Sequence, residues 1–90
     1  MNFDDQLRRY FGTPDLGAIE YGALMDGIEK MRVDFGLQTD TQRRFALWSL
    51  LYLLGAAPDL DVAFDNEDDR NAARDFMDMM DKATENETRP

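Results

Sequence analysis

From Phe45 to Leu54 the chain carries no charged side chain, and its polar groups are confined to Trp48, Ser49 and Tyr52. Wound as an α-helix, this run is apolar on nearly every side. A lone surface helix of that kind would leave its apolar surface in water. It is therefore expected to be the central element of its fold, covered by other helices or by a second copy of the chain. Thr39 and Gln42 have the T-x-x-Q spacing of a capping box, which predicts a helix start at Thr39. Gly55 and Pro58 are placed to end it.

Three further segments have helical periodicity. Phe3, Leu7, Tyr10 and Phe11 fall on one helix face, with Asn2 able to cap the start, Asp4 and Asp5 suited to the positive helix end, and Gly12 as a stop. Thr13-Pro14-Asp15 reads as a cap followed by Pro at the first helical position, although Gly17 weakens the next turn. The second full helix is expected over 20–35. There Tyr21, Leu24, Met25, Ile28, Met31 and Phe35 gather on one side, and Gly36 is the predicted stop. Gly27 lies at the edge of that stripe, where a missing side chain costs about 1 kcal/mol relative to Ala unless a neighbour approaches closely. The last helix is expected over 67–84, with Ala72, Ala73, Phe76, Met77, Met79, Met80 and Ala83 on one arc. Between Ala57 and Asn66, Leu60, Val62 and Phe64 alternate with Asp59, Asp61 and Asp65. The pattern suits an extended segment, and a single helical turn using Leu60, Ala63 and Phe64 fits almost as well.

The expected fold class is all-α: a compact three- or four-helix bundle with an apolar central helix. Residues 1–84 read as one helical domain and 85–90 as a polar tail that frays. Leu, Met, Ala and Phe supply most of the apolar content, which favours helix over sheet.

Charge and missing residue types narrow the function. Ten basic residues against nineteen acidic give a formal net charge of -9, opposite to what phosphate contacts or an anionic membrane surface require. Nucleic acid and membrane are accordingly not expected as partners, and a protein partner, basic in character, is. With no Cys and no His, the chain lacks disulfides, thiolate metal sites and the usual general base near neutral pH. No cofactor is expected. The N-terminal residues contain nothing like a signal peptide, so a cytoplasmic location is the expectation.

Asp59, Asp61, Asp65 and the following Glu67-Asp68-Asp69 form an acidic run that can hold a hard cation, dock a basic partner, or simply solvate a loop and complement a helix N-terminus. An EF-hand frame fails: starting at Asp59, Phe64 replaces the turn Gly and Arg70 the bidentate Glu. Arg43 and Arg44 stand where the dipole of the third helix disfavours positive charge. They either pair locally, Asp40 with Arg44, or combine with Thr39 and Thr41 as an anion pocket. Arg8 and Arg9 read as solvated partners of nearby carboxylates. Phe45, Trp48 and Tyr52 share one side of the third helix as core, as a homodimer interface or as a pocket lining. Ser49 has no base in reach of the pattern, and no GxSxG, Walker or HExxH motif is present.

The reading reached from sequence is a non-enzymatic, acidic helical interaction or regulatory module, with Phe45, Trp48, Tyr52, Asp59, Asp61 and Asp65 as its interaction surface. The alternatives are a small-ligand or divalent-cation-binding domain and a DNA mimic. A homodimer is the natural means of covering the third helix.

Overall fold

The computed structural model describes residues 3–88, with side chains described through Ala83. Every regular element in that range is helical, so the chain is all-α as expected. The order is α1 (Phe3–Phe11), a three-residue 3-10 turn (Leu16–Ala18), α2 (Tyr21–Leu37), α3 (Thr41–Leu53), α4 (Leu60–Ala63) and α5 (Glu67–Thr88). The chain divides into two compact units, residues 1–57 and 58–90, within the stretch read from sequence as a single domain. No helix among the described residues is long and apolar enough to cross a membrane.

In the first unit α1, α2 and α3 each pack against the other two. Leu7 of α1 and Ile28, Met31 and Phe35 of α2 are buried at the spacing of a helix face. Each such side chain contributes about 1.5–3 kcal/mol relative to exposure. Leu47, Trp48, Ser49, Leu50 and Leu51 of α3 are all buried. Five consecutive positions at 100° steps sweep the full circumference of a helix, so α3 is enclosed on all sides at that level, as its sequence demanded. The Ser49 hydroxyl donates to the Phe45 carbonyl at 2.8 Å, which satisfies a polar group with no access to solvent.

The helix ends differ in detail from the expectation. Asn2, the expected cap of α1, lies outside the described residues. Asp15 caps the 3-10 turn by accepting from Gly17 N at 3.0 Å, while Thr13 Oγ1 accepts from Asp15 N instead of opening a helix itself. The third helix starts at Thr41, not Thr39, because the Asp40 carboxylate takes the cap and accepts the Arg43 N–H at 2.9 Å. The second helix runs through Gly36 to Leu37. Its end is satisfied from outside: Arg44 Nη1 donates to the Phe35 and Gln38 carbonyls at 2.7 and 3.2 Å. With those carbonyls bound by a guanidinium, a left-handed glycine is not needed there. Where no such donor reaches, glycine supplies the stop. Gly55, at φ 76°, donates to Tyr52 O while Ala56 N donates to Leu51 O, a Schellman end for α3. Gly12, at φ 79°, donates to Arg8 O and closes α1.

In the second unit residues 60–63 form a single helical turn, not an extended strand. Ala63 and Phe64 are buried and Val62 is 76% exposed, the arrangement the helical alternative requires. Arg70 repeats the device seen at Arg44: its Nη1 donates to the carbonyls of Phe64 and Asp65, both at 3.0 Å, and ties the end of α4 to α5. Asn66 Oδ1 accepts the Asp68 N–H at 2.7 Å and caps α5, whose first turn carries Glu67, Asp68 and Asp69. The buried stripe of α5 is narrower than its sequence arc: Ala73 and Phe76 are buried, whereas Ala72, Met79 and Ala83 are exposed. The helix continues to Thr88, four residues beyond the expected end, since no Gly or Pro stands between Ala83 and Thr88 to stop it.

Candidate functional site

The six residues read from sequence as an interaction surface occupy quite different settings. Phe45, Trp48 and Tyr52 do form one aromatic row on α3, with Trp48 and Tyr52 stacked at 5.5 Å and 17° and Phe45 tilted against Trp48 at 6.3 Å. Trp48 is only 1% exposed, however, and Phe45 and Tyr52 are half-buried. The row is therefore packing in this structure, with its middle member out of reach of a partner. Asp59, Asp61 and Asp65 are exposed, as a docking surface requires. Among the described residues no three carboxylates come together as a metal donor set.

The first unit carries a cleft of about 540 Å³ built by α1, α2 and α3 together. Gln6, Arg9 and Tyr10 enter from α1, Asp34 and Leu37 from the last turns of α2, Gln38 just after it, and Arg43, Ala46 and Leu47 from α3. Each position follows from the local fold. Arg9 and Tyr10 precede the Gly12 stop and so lie in the last turn of α1. Asp34 and Leu37 lie one turn apart on a flank of α2 outside its core stripe. Arg43 opens α3 immediately after its cap.

Tyr10 and Asp34 join α1 to α2 across a sequence separation of 24: the phenol donates to Asp34 Oδ2 at 2.6 Å. Burial pushes the Tyr10 pKa up to about 12, helped by the hydrogen bond to Asp34 and its negative charge and opposed by the charge of Arg9. The phenol is thus a fixed donor and not an available base near neutral pH. A phenol whose pKa rises on folding from 10.0 to about 12 adds stability that is complete below pH 10 and is lost as pH climbs through 12. We expect the difference in tyrosinate absorbance between wild type and Tyr10→Phe to titrate near the higher value. We also expect the wild type, but not the variant, to lose this part of its stability across that window. A difference spectrum centred at 10 would mean that neither the burial of Tyr10 nor its Asp34 contact persists in solution.

The two arginines are in a different condition from Tyr10. Neither the Arg9 nor the Arg43 guanidinium has a hydrogen bond or ion pair to any described residue, although the chain as a whole is strongly acidic. Arg44, next to Arg43 in the chain, is engaged with the end of α2 and lies over the Phe35 ring, 4.2 Å from its centroid. The sequence alternative that grouped Arg43 and Arg44 in one anion pocket is thereby split: Arg44 is structural and Arg43 faces the cleft with Arg9. Gln6 adds a third unsatisfied group, since its Oε1 is buried with no hydrogen-bond donor. An acceptor so placed costs roughly 1–3 kcal/mol and is the kind of group a bound molecule or a water satisfies. Sequence reasoning passed over Gln6 and took Arg9 for a solvated partner of nearby carboxylates. Their only signal was a position on the polar flank of a short helix, which many solvated side chains share.

No known protein family, curated protein or solved structure matches this chain. The functional reading therefore rests on the site itself.

Proposed function

We propose that the chain is a non-enzymatic recognition module that engages a protein partner through the α1–α2–α3 cleft of its first unit. The observation that carries the reading is the convergence of Arg9 and Arg43, neither paired with a described carboxylate, on one concave surface in a chain of net charge -9. Two guanidinium groups facing one concave surface offer a local site for an anionic group. Catalysis has little support from the lining. The chain has no Cys or His, the one phenol in the cleft is committed to Asp34, and no serine or threonine lines it.

The test is binding of wild type and an Arg9→Ala/Arg43→Ala variant to immobilised peptides of acidic, neutral and basic composition. Both arginines are exposed, so the variant is expected to keep its fold, which its thermal melt will report. We expect peptides bearing an anionic group to bind wild type and to bind the variant at least about tenfold more weakly, as loss of one charge-assisted contact implies. Retention of basic peptides alone, with no effect of the double substitution, would transfer recognition to the exposed Asp59, Asp61 and Asp65. Binding of no peptide, together with turnover of a small molecule, would end the reading altogether.

A further inference from the structure

We infer that the group taken by the cleft is the free C-terminal carboxylate of a peptide whose last side chain is apolar and whose preceding residues carry no negative charge. This rests on the proposed recognition role and names the ligand for the same site. Three properties of the lining select it.

The first is charge. Arg9 and Arg43 stand against a single aspartate, Asp34, so the ionised side chains of the lining leave one net positive charge, which matches a monoanion. A polyanion would gain little more at the cleft and would meet the field of an acidic chain everywhere else. On the same α2 surface, Asp26, Glu29 and Asp34 line an adjoining shallow groove with Lys30 and Val33. A peptide leaving the cleft in that direction passes over carboxylates, which favour neutral or basic residues upstream of its terminus.

The second is shape. A guanidinium presents a planar fork that matches the two oxygens of a carboxylate, and two guanidinium groups on different helices can address both. A cleft of about 540 Å³ lies within the range that encloses a small ligand or the last few residues of a chain.

The third is the mixture of walls. Leu37, Ala46 and Leu47 supply an apolar side, and Leu37 is 75% exposed. That exposure leaves apolar surface for the terminal side chain to cover. A peptide terminus brings what a simple inorganic anion lacks: an amide N–H next to its carboxylate. Gln6 Oε1 is the acceptor in the lining without a donor, and a rotation of this half-buried side chain toward the cleft gives it that N–H. Capture of a terminal carboxylate is an established mode of peptide recognition, and here side-chain guanidinium groups serve it.

The experiment titrates the full chain with an N-acetylated pentapeptide containing one lysine and ending in leucine, with its C-terminal amide, and with N-acetyl-leucine. Binding is read by calorimetry and by shifts of backbone amides and arginine Nε–H groups. The acid peptide is expected to bind and to shift Arg9, Arg43 and Leu37; its amide is expected to bind at least about tenfold more weakly. N-acetyl-leucine is expected to bind more weakly than the peptide, because it lacks the residues that cross the α2 groove. Gln6→Leu is expected to weaken the acid peptide while leaving the chain as stable as wild type or more so. Equal affinity for acid and amide, or an N-acetyl-leucine affinity matching the peptide's, overturns the terminal-peptide assignment without touching the recognition role. If no probe shifts Arg9 or Arg43 and the peptide panel also finds no anionic ligand, both fall together.

Discussion

Trp48→Ala is expected to cost about 3–5 kcal/mol of stability, the range for truncating a large buried aromatic side chain. Domains of this size have roughly 5–15 kcal/mol in total, so the variant should approach the threshold of folding. Trp48 is 1% exposed and contacts Phe45 and Tyr52 through its ring, so the substitution removes both the buried area and two aromatic contacts. Urea unfolding followed by circular dichroism measures the loss, and Trp48→Phe, which keeps a ring in place, should recover a large part of it. The competing view, in which Trp48 anchors an interface with a partner or a second copy, makes the opposite forecast: a monomer of near-normal stability that no longer associates. A loss under about 1 kcal/mol would favour that view.

The same residue shows which parts of the fold were legible in sequence. Phe45–Leu54 announced an enclosed helix because no rotation of an all-round apolar helix can present a polar face to water, and Leu47–Leu51 are indeed buried in succession. Ile28, Met31 and Phe35 were equally plain, since their spacing is that of a helix face. The single turn at Leu60 was undecided because in four residues periods of 2 and 3.6 scarcely differ; burial of Ala63 with exposure of Val62 distinguishes them only in the structure. The end of α2 was misplaced because the group that satisfies it comes from another helix. Gly12 and Gly55 stop their helices with their own backbone, and their sequence signal was correct. Gly36 carried the same signal, but Arg44 binds the carbonyls at the end of α2 and the helix passes through. No local pattern reports a donor that belongs to the next helix.

The site was less legible than the fold, for a related reason. Arg43 was noticed because a positive charge at a helix N-terminus is unfavourable, a local anomaly. Arg9 presents no anomaly in sequence, since a basic residue in the last turn of α1 complements the dipole. What makes Arg9 notable is the cleft it shares with Arg43, which is a tertiary fact. Tyr10 and Asp34 likewise read as an ordinary stripe residue and an ordinary surface acid until the fold brings them to 2.6 Å.

Gly27→Ala is expected to destabilise the chain by about 1–2 kcal/mol net, even though Ala is the better helix former by about 1 kcal/mol. Gly27 is buried in the middle of α2, and a Cβ added there would fall on Cδ1 and Cε1 of the Phe11 ring, with Cζ 3.0 Å away. The obstruction is the flank of a ring on the last residue of α1, held against α2 just before the Gly12 turn, so it cannot yield by bending a flexible tip. Phe11 and Gly27 therefore form one contact, and their substitutions should be strongly non-additive. In a Phe11→Ala background the obstruction is gone and only the helix propensity remains, so Gly27→Ala should reverse sign and stabilise by about 1 kcal/mol. A destabilisation of the same size in both backgrounds would show that Gly27 is required for some reason other than the ring. The reversal also bears on function, because α1 carries Gln6, Arg9 and Tyr10 to the cleft. A Cβ that lifts Phe11 off α2 moves all three, so the single variant should lose the raised Tyr10 pKa together with affinity for the acid peptide. The double variant should regain both only so far as α1 settles back against α2 without its aromatic anchor.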